Sequence, residues 1–453
     1  METPRSTDQP SLVSRARRVE EPDFRAAFDL LPAPKTVWGA TEEATVVGGG
    51  AAATLRASGD ARFESIRKAA DSLFDSGDVH AGTEAACPRL FGGFAFHAAG
   101  GDDEPWTEFP GARFVLPRVQ VTYADNGAWV TVNAVGPEAD AEDVGARLAA
   151  VAADLDGASA SSPRPPRPGI AAKHRTTTLG EWRRSVDSAV DHIESGRLRK
   201  VVLAQALRAE LAGELSRAAT LERLDERYPE CHLFLTEPAT GDQAFLGATP
   251  ETLVSLQGRT VETAALAGTT GRGETPAEDE WLADELLADE KNVHEHELVA
   301  DAIRDQLSPF TASISTGERR IKRLATVQHL HTPMTAELAS DQHVLELVEA
   351  LHPTPAVGGL PPDAALDTIR ETEPFDRGWY AAPVGWIDAA GNGTFAVALR
   401  SAVVEPRQAT LFAGVGIVAD SDPDREWDEV QLKYRPILDE LESDGGSEPA
   451  GGH

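Results

Sequence analysis

The sequence predicts an α+β fold in which the sheets are mainly antiparallel. Runs with strand-like alternation follow one another across glycine-rich turns, as at Gln257-Gly258 and Gly391-Asn392-Gly393. Helical periodicity is confined to a few separate segments, so strands and helices do not alternate as they do in a doubly wound parallel sheet. The 453 residues are enough to bury a large core.

The N-terminal third is predicted to combine short strands with one helix. Strand-like runs occur at TVVGG, FGGFAF and VQVTYA, and a segment rich in Ala and Leu near 141–154 has helical periodicity. Residues 1–22 are polar and of mixed charge, and residues 443–453 are rich in Gly, Ser and Asp. Neither end has a pattern that could pack on a core, so we expect both to be disordered tails.

A stretch rich in Pro and Ser at 157–173 is the clearest internal boundary. Its composition predicts an extended connector without a packed face. The connector divides the sequence into an N-terminal α+β part at 23–156 and a larger part at 174–442.

The larger part is predicted to begin with a helix and a long strand. Thr178 and Glu181 have capping-box spacing, and apolar residues recur at helical intervals until Gly196. The segment KVVLAQALRAEL then alternates like a strand, with Lys200 at its start. A hairpin around Gln257-Gly258 follows.

The remaining elements are a long acidic helix, further strands and a last helix. The acidic helix is predicted from about 277 to 307, on the basis of its apolar stripe. The strands lie in PVGWIDAAGNGTFAVALRSAVV, where FAVALR is expected to end a strand at Arg400, and in ATLFAGVGIV. The segment EWDEVQLK opens the last helix.

The charge of the chain excludes several classes of partner. Asp and Glu number 74 against 42 Lys and Arg, a formal net charge of −32. Such a chain repels phosphate backbones and anionic lipid, so we expect no nucleic-acid or membrane partner. Seven of the basic residues are lysines. An acidic, lysine-poor surface is typical of proteins from halophilic archaea, which work in molar salt, although an acidic mesophilic protein is the alternative.

The compartment is expected to be the cytoplasm. Cys87 and Cys231 are too few for a disulfide framework or a thiolate zinc site. The N-terminal segment lacks the apolar core of a signal peptide, and no run of 18 apolar residues is present.

Lys200 and Glu251 are the first candidates for chemistry. A lysine on an apolar strand is either desolvated and able to act as a base, or it extends its ammonium to the surface, and the residues alone favour the second reading. Glu251 follows Thr249-Pro250 at the bend of a predicted strand. A partly buried carboxyl there could act as a general acid, but a turn residue on the sheet surface is an equal alternative.

Three carboxylates form a candidate metal site. Glu295 lies on the inward face of the acidic helix, and Glu426 and Glu429 are three residues apart near the start of the last helix. Oxygen ligands of this kind suit Mg²⁺, although a solvated acidic face is the ordinary explanation. His294 and His296 are two residues apart on a helix and point in different directions, so we reject a zinc site.

The remaining candidates are polar groups and glycines. Arg400 and Tyr380 could together hold a carboxylate, although a surface arginine is more common. The glycines of GTTGRG and AGVGIV match neither a phosphate loop nor GxGxxG, and predict tight turns or close approach of the backbone to a ligand.

Ten motifs join these candidates into one pattern. In order, they are KVVLAQ, FLGATPETL, ALAGTTGRG, DEKNVHEHELV, ATVQHL, LHPTPAVGGLP, EPFDRGWY, FAVALR, LFAGVGIV and EWDEVQLK. The series resembles the chorismate-utilising enzymes, which include isochorismate, salicylate, anthranilate and aminodeoxychorismate synthases. The resemblance covers about residues 178–440, and FGGFAF fits the looser N-terminal part of the family.

The resemblance implies an anthranilate synthase component I-like α+β fold, with two large, mainly antiparallel sheets and helices outside. It implies a Mg²⁺ ion between protein carboxylates and a substrate carboxylate, with Glu295 and Glu429 as ligands and Glu426 as a nearby, water-mediated partner. The positions that match binding of the enolpyruvyl carboxylate are Tyr380, Arg400, Gly414, Gly416 and Lys433; Gly268 and Thr269 match backbone donors near the ring carboxylate, and His329 lines the site.

A few positions indicate the branch of the family. Branches that add water at C2 resemble one another in a lysine at the start of KVVL, where ammonia-using branches carry glutamine. Lys200 is therefore expected to deprotonate water and Glu251 to protonate the leaving 4-hydroxyl, which converts chorismate into isochorismate. Ala356 stands where salicylate and anthranilate synthases carry threonine. Gln205 departs from the arginine of many isochorismate synthases.

Several alternatives stay open. The resemblance also fits a salicylate synthase or an ammonia-using component I, and a chorismate-binding subunit without turnover is a further class. Lys200 favours a chain that needs no glutaminase subunit. We expect a monomer or weak dimer whose product serves menaquinone synthesis, with siderophore synthesis as the alternative.

Overall fold

The computed structural model describes residues 12–443 except 41–42, 76, 99–102, 137–138, 157 and 159–162. The strands are β1 (Leu12–Val19), β2 (Lys35–Ala40), β3 (Glu43–Ala57), β4 (Asp78–His80), β5 (Leu90–Phe94), β6 (Ala112–Ala124), β7 (Gly127–Val135), β8 (Ile170–Arg175), β9 (Lys200–Leu211), β10 (His232–Thr236), β11 (Ala244–Thr249), β12 (Thr252–Gln257), β13 (Thr260–Gly271), β14 (Thr311–Thr316), β15 (Arg320–Arg323), β16 (Val327–Leu338), β17 (Gly359–Leu360), β18 (Pro383–Ile387), β19 (Gly393–Val397), β20 (Ser401–Glu405) and β21 (Gln408–Ile417). The helices are α1 (Phe24–Leu30), α2 (Arg62–Phe74), α3 (Ala141–Asp156), α4 (Leu179–Glu194), α5 (Arg217–Arg227), α6 (Pro276–Ala288), α7 (Glu290–Leu307), α8 (Val344–Leu351), α9 (Pro362–Thr372) and α10 (Pro423–Leu441).

The strand pairing confirms an α+β fold with mainly antiparallel sheets. In the described part of the chain, hydrogen bonds join the 21 strands into one network. The two predicted sheets are continuous with each other, because long strands pair with more than one neighbour. β3 pairs with β2 and β6, and β9 pairs with β8, β17 and β21. β1 and β4 form a parallel pair. Helices pack on the sheet from outside, including α7 on β13 and α10 on β21.

Local signals in the sequence account for several elements. Thr178 caps α4 with the full capping box to Glu181, and Gly196 has a positive φ of 78° just after the helix. β12 and β13 form the hairpin predicted at Gln257-Gly258, where Gly258 has a φ of 62°. β18 and β19 pair across the turn that contains Gly391.

Two predictions about poorly packed segments are wrong in part. The predicted N-terminal tail contains β1, in which Leu12 pairs with Val135 and Val19 with Ala128 of β7; the first eleven residues lie outside the described residues. Likewise, the end of the predicted connector forms β8, which pairs with β9. β8 looks polar in the sequence because it contributes mostly exposed side chains. Residues 157 and 159–162 of the connector lie outside the described residues, as do 444–453 of the C-terminal tail.

The predicted acidic helix is two helices, and one predicted strand ends early. Asp289 ends α6 and caps α7, because its carboxylate accepts the N–H of Asn292 at 2.7 Å and so replaces a helical hydrogen bond. β19 ends at Val397, and Arg400 lies in the turn before β20 with a φ of 48°. Within the described residues, none of the helices is long and apolar enough to cross a membrane.

Candidate active site

One cavity is lined by all fourteen residues that the sequence analysis selected. It leaves about 110 Å³ for the centres of water-sized molecules, within an open space of about 960 Å³ that includes solvent at its mouth. Its walls come from β9, β13, β16 and β21, from α7 and α10, and from the turns around Glu251 and Arg400. The selected residues are Lys200, Glu251, Gly268, Thr269, Glu295, His329, Ala356, Tyr380, Arg400, Gly414, Gly416, Glu426, Glu429 and Lys433.

Lys200 is buried at the start of β9, with 1% of its surface exposed. Its Nζ lies 2.8 Å from Oε1 of Glu295 on α7. Burial favours a higher pKa for Glu295, but the ammonium groups around it, led by Lys200, lower the pKa overall. Gly416 on β21 makes room for this pair, because a Cβ there would lie 2.5 Å from Glu295 Oε1. The residues alone favour a lysine that extends its ammonium to the surface. The structure shows instead that Lys200 is buried.

Glu251 lies at the corner between β11 and β12 and is 6% exposed. Val397 donates its N–H to the Glu251 carbonyl at 3.0 Å, which holds the corner against β19. Burial raises the pKa of the Glu251 carboxyl to about 7, although the charges of Lys200 and Lys433 oppose the rise. A carboxyl with a pKa near neutrality is suited to proton transfer.

Arg400, His329 and Thr269 form a hydrogen-bonded chain along one wall. Arg400 Nη2 lies 2.9 Å from Nε2 of His329, and His329 Nδ1 lies 3.1 Å from Thr269 Oγ1. Burial and the Arg400 charge lower the pKa of His329, so its ring is neutral. Because a guanidinium can only donate, Nε2 accepts and the proton sits on Nδ1. Gly268, with a φ of 77°, forms the β-bulge beside Thr269.

Arg400 also has a buried donor without a protein partner. Its Nη1 is buried and has no hydrogen-bond partner among the described residues, and the side chain lines the cavity. An unsatisfied buried guanidinium nitrogen is costly. Its position, and the left-handed backbone of Arg400, indicate that a ligand anion completes the site.

Tyr380 and Lys433 lie on either side of Gly414. The Tyr380 ring stacks on Phe412 at 5.3 Å between centroids, and burial raises the pKa of its phenol, which stays protonated. A Cβ on Gly414 would lie 3.2 Å from the Tyr380 hydroxyl. Lys433 donates to the Gly414 carbonyl at 3.0 Å and pairs with Glu429 at 2.8 Å.

The three predicted metal-ligand carboxylates line the cavity, each paired with a lysine. Besides the two pairs already described, Glu426 Oε1 lies 3.2 Å from Nζ of Lys291. Burial raises the pKa of Glu426 although Lys291 opposes the rise. Among the described residues, no three carboxylate, imidazole or thiol groups are gathered closely enough to hold a metal ion. The oxygens belong to the type that Mg²⁺ prefers, and they would have to turn from the lysines to share one ion.

The two histidines of HEHEL diverge. His296 is buried, with Nε2 2.7 Å from Thr332 Oγ1 and Nδ1 3.2 Å from the Ala267 carbonyl. His294 is exposed. The two imidazoles therefore belong to different environments.

Sequence reasoning missed Arg377, which organises the floor of the cavity. Its guanidinium makes two hydrogen bonds to Glu373, at 2.6 and 2.9 Å, and donates to the carbonyls of Val357 and Val202. Glu373 in turn accepts the N–H of Ala204. Arg377 therefore joins β9 to the segment that carries Ala356. Its only sequence signal was its place in EPFDRGWY.

Lys291 was also missed. It lies one helical turn before Glu295, and the spacing of KNVHE could have placed both on one face of α7.

Comparison with known proteins gives consistent matches along the chain. The family described as chorismate binding enzyme matches residues 1–442. The chain is 37% identical over 444 residues to the salicylate biosynthesis isochorismate synthase of Pseudomonas aeruginosa, covering 97% of this chain and 92% of the relative. It is 35% identical over 385 residues to isochorismate synthase MenF of Bacillus subtilis, covering 84% and 80%.

Solved structures agree with the fold. Menaquinone-specific isochorismate synthase MenF from Escherichia coli superposes with a TM-score of 0.80 at 25% identity, covering 96% of both chains. Anthranilate synthase component I from Streptococcus pneumoniae superposes with a TM-score of 0.70 at 21% identity, covering 96% of this chain and 93% of that one. The second match concerns the fold alone.

Proposed function

Because this chain belongs to the chorismate-binding enzyme family, we propose that it is an isochorismate synthase, which converts chorismate into isochorismate with Mg²⁺. The observation that carries the proposal is that Lys200 and Glu251 line one cavity, in a chain similar over most of its length to named isochorismate synthases. A buried lysine and a carboxyl with a raised pKa are the base and acid that the isomerisation requires.

The reaction exchanges one hydroxyl group for another. Lys200 takes a proton from a water molecule, whose oxygen forms a bond to C2 of the substrate. The ring double bonds shift, the bond between C4 and its oxygen breaks, and Glu251 gives its proton to the departing hydroxyl, which leaves as water. Burial keeps Glu251 protonated up to about pH 7, so it can deliver that proton in neutral solution.

Mg²⁺ would be held by Glu295 and Glu429, with Glu426 as a nearby partner through water. When bound, the ion supplies positive charge that neutralises a substrate carboxylate. Glu295 Oε1 now pairs with Lys200, and the same oxygen cannot serve both partners equally.

The substrate carries two carboxylates, and the cavity offers donors for both. Arg400 Nη1 is the unpartnered buried donor, and the Tyr380 phenol and Lys433 line the same cavity, so we assign these groups to the enolpyruvyl carboxylate. Gly268 and Thr269 are assigned to the ring carboxylate. The absence of side chains at Gly414 and Gly416 leaves space for the ligand.

The competing functions differ in product or in nucleophile. A salicylate synthase would go on to eliminate pyruvate. Ala356 lies in the cavity wall where salicylate synthases carry threonine, and this argues against that function. An ammonia-using synthase needs no base for its nucleophile, so the presence of Lys200 argues against that function. Gln205 is buried and its Nε2 has no partner among the described residues. It does not line the cavity, so its departure from arginine leaves the proposed chemistry intact.

The test is to incubate the purified protein with chorismate and Mg²⁺ in molar potassium chloride, without ammonia, and to separate the products by chromatography. Isochorismate in equilibrium with chorismate is the expected result. Accumulating salicylate would assign the chain to the salicylate synthases. Conversion that starts only after ammonium is added would contradict the proposal that Lys200 is the base that deprotonates water.

The biological setting follows from the same proposal. We place the enzyme in the cytoplasm of a halophilic archaeon, as a monomer or weak dimer without a glutaminase subunit, and assign its product to menaquinone synthesis. The charge of −32 and the seven lysines support the saline setting. A melting temperature that rises steeply with potassium chloride is the expected signature.

A further inference from the structure

Lys322 is the third member of a row of side chains that crosses three neighbouring strands. Thr269 of β13 lies opposite His329 of β16, and His329 lies opposite Lys322 of β15. Residues directly opposite each other in antiparallel strands place their side chains on the same face of the sheet. Thr269 and His329 line the cavity, so Lys322 extends from the same face beside them.

The Lys322 ammonium holds the corner that carries Glu251. Its Nζ donates to the Pro250 carbonyl at 2.8 Å, and Glu251 is the next residue. The flanking residues are held by β19, since Thr249 Oγ1 donates to the Val397 carbonyl and the Val397 N–H donates to the Glu251 carbonyl. The corner is therefore held by β19 through Thr249 and Glu251 and by Lys322 through Pro250.

Lys322 forms no close ion pair, although the charges of Glu230 and Glu251 act on its ammonium group. Among the described residues, no Asp or Glu oxygen lies within 4.0 Å of its Nζ, whereas Lys200, Lys291 and Lys433 each have a carboxylate oxygen at 2.8 to 3.2 Å. In a chain with 74 acidic residues and seven lysines, an unpaired and partly buried ammonium beside the cavity indicates a role that uses its charge.

We propose that Lys322 is a positioning residue for Glu251, which fixes the corner from which the acid extends and supplies positive charge behind the carboxylate that forms when the proton has left. This inference rests on the proposed function, because Lys322 has this part only if Glu251 transfers a proton. The charged and titratable groups around the pair are Lys200, Lys433, Tyr380, Arg400, Glu230, Cys231, His232, His329 and His331.

The physical reason is that Glu251 has to change its protonation state in every turnover. It loses its proton in the forward direction and regains it in the reverse direction. Burial opposes the ionised form, and the nearby ammonium groups, Lys322 among them, offset part of that opposition. Without Lys322 the acid would hold its proton more tightly and its corner would be less well fixed.

The test compares Lys322→Met and Lys322→Arg with wild type and with Lys68→Met, an exposed lysine on α2 that pairs with Glu64. Isochorismate formation is measured across pH, together with KM and the melting temperature. For Lys322→Met we expect kcat at pH 7 to fall about tenfold with KM nearly unchanged, since general acid catalysis is worth about 10² or more. The alkaline limb of the pH profile should move to higher pH. Lys322→Arg should restore the limb, and Lys68→Met should match wild type.

Three results would overturn the inference, and they are distinguishable. If Lys322→Met keeps the kcat and pH profile of wild type, Lys322 has no part in the reaction although the proposed function stands. If both Lys322 variants lose activity in parallel with melting temperature and the limb stays in place, Lys322 is structural only. If wild type forms no isochorismate, the proposed function fails and the inference fails with it.

Discussion

Replacing Gly416 by alanine tests whether the contact between Lys200 and Glu295 matters for turnover. A Cβ at position 416 would lie 2.5 Å from Glu295 Oε1 and 2.8 Å from Lys200 Cε. To reach an ordinary contact of 3.4 Å, the carboxylate oxygen has to move by about 0.9 Å and the lysine carbon by about 0.6 Å. Both atoms belong to flexible side-chain ends, so these ends shift while the strands stay paired.

The expected cost falls on activity more than on stability. Misplacing a reacting group by about 1 Å costs about 100-fold in rate, which corresponds to about 2.7 kcal/mol of transition-state stabilisation. The fold should persist, with the melting temperature within about 2 °C of wild type, since in a chain of 453 residues about 1 kcal/mol shifts the melting temperature by only about 1 °C.

The assay is the initial rate of isochorismate formation, measured with saturating chorismate and Mg²⁺ alongside thermal unfolding. Gly145→Ala is the matched control, because Gly145 lies within α3, about one turn from its start, and a Cβ there would meet nothing within 4 Å. It should stabilise the protein by about 0.5–1 kcal/mol and leave the kinetics unchanged. A Gly416→Ala enzyme with near-normal kcat would refute the assigned geometry of Lys200 and Glu295.

Three further predictions follow from the same structure. Lys200→Ala and Glu251→Gln should each abolish detectable turnover while the far-ultraviolet circular dichroism stays native. A near-normal rate in either variant would contradict the role assigned to that residue. Because burial raises the pKa of Glu251 to about 7, the acid is protonated below that pH and ionised above it, so kcat for the forward reaction should fall as pH rises above about 7; a rate that stays constant to pH 9 would contradict this. Arg377→Leu leaves Glu373 buried without its partner, which should cost about 3–5 kcal/mol, measured as a lower midpoint in urea; a midpoint equal to wild type would show that the pair contributes little.

Local interactions could be predicted from the sequence because their partners are close along the chain. The capping box of Thr178 and Glu181 spans three residues, and the hairpin at Gln257-Gly258 depends on a glycine with positive φ. The ordered motifs also identified fourteen of the residues that line the cavity, because each motif carries its functional side chain within it.

Pairings between distant segments could not be predicted in the same way. β1 has the polar sequence LVSRARRV, and its strand character depends on β7, more than 100 residues later. The break between α6 and α7 depends on a cap by Asp289 that competes with helical hydrogen bonds in a sequence with helical periodicity.

By itself, then, the sequence determined the fold class, the family resemblance and fourteen of the residues that line the cavity. The tertiary structure decided their partners, such as Glu295 for Lys200 and Lys291 for Glu426. The physical reason is that a charged side chain in a buried site is governed by whichever groups the packing brings within about 4 Å. Those groups come from strands and helices that are far apart in the chain, so no short pattern records them.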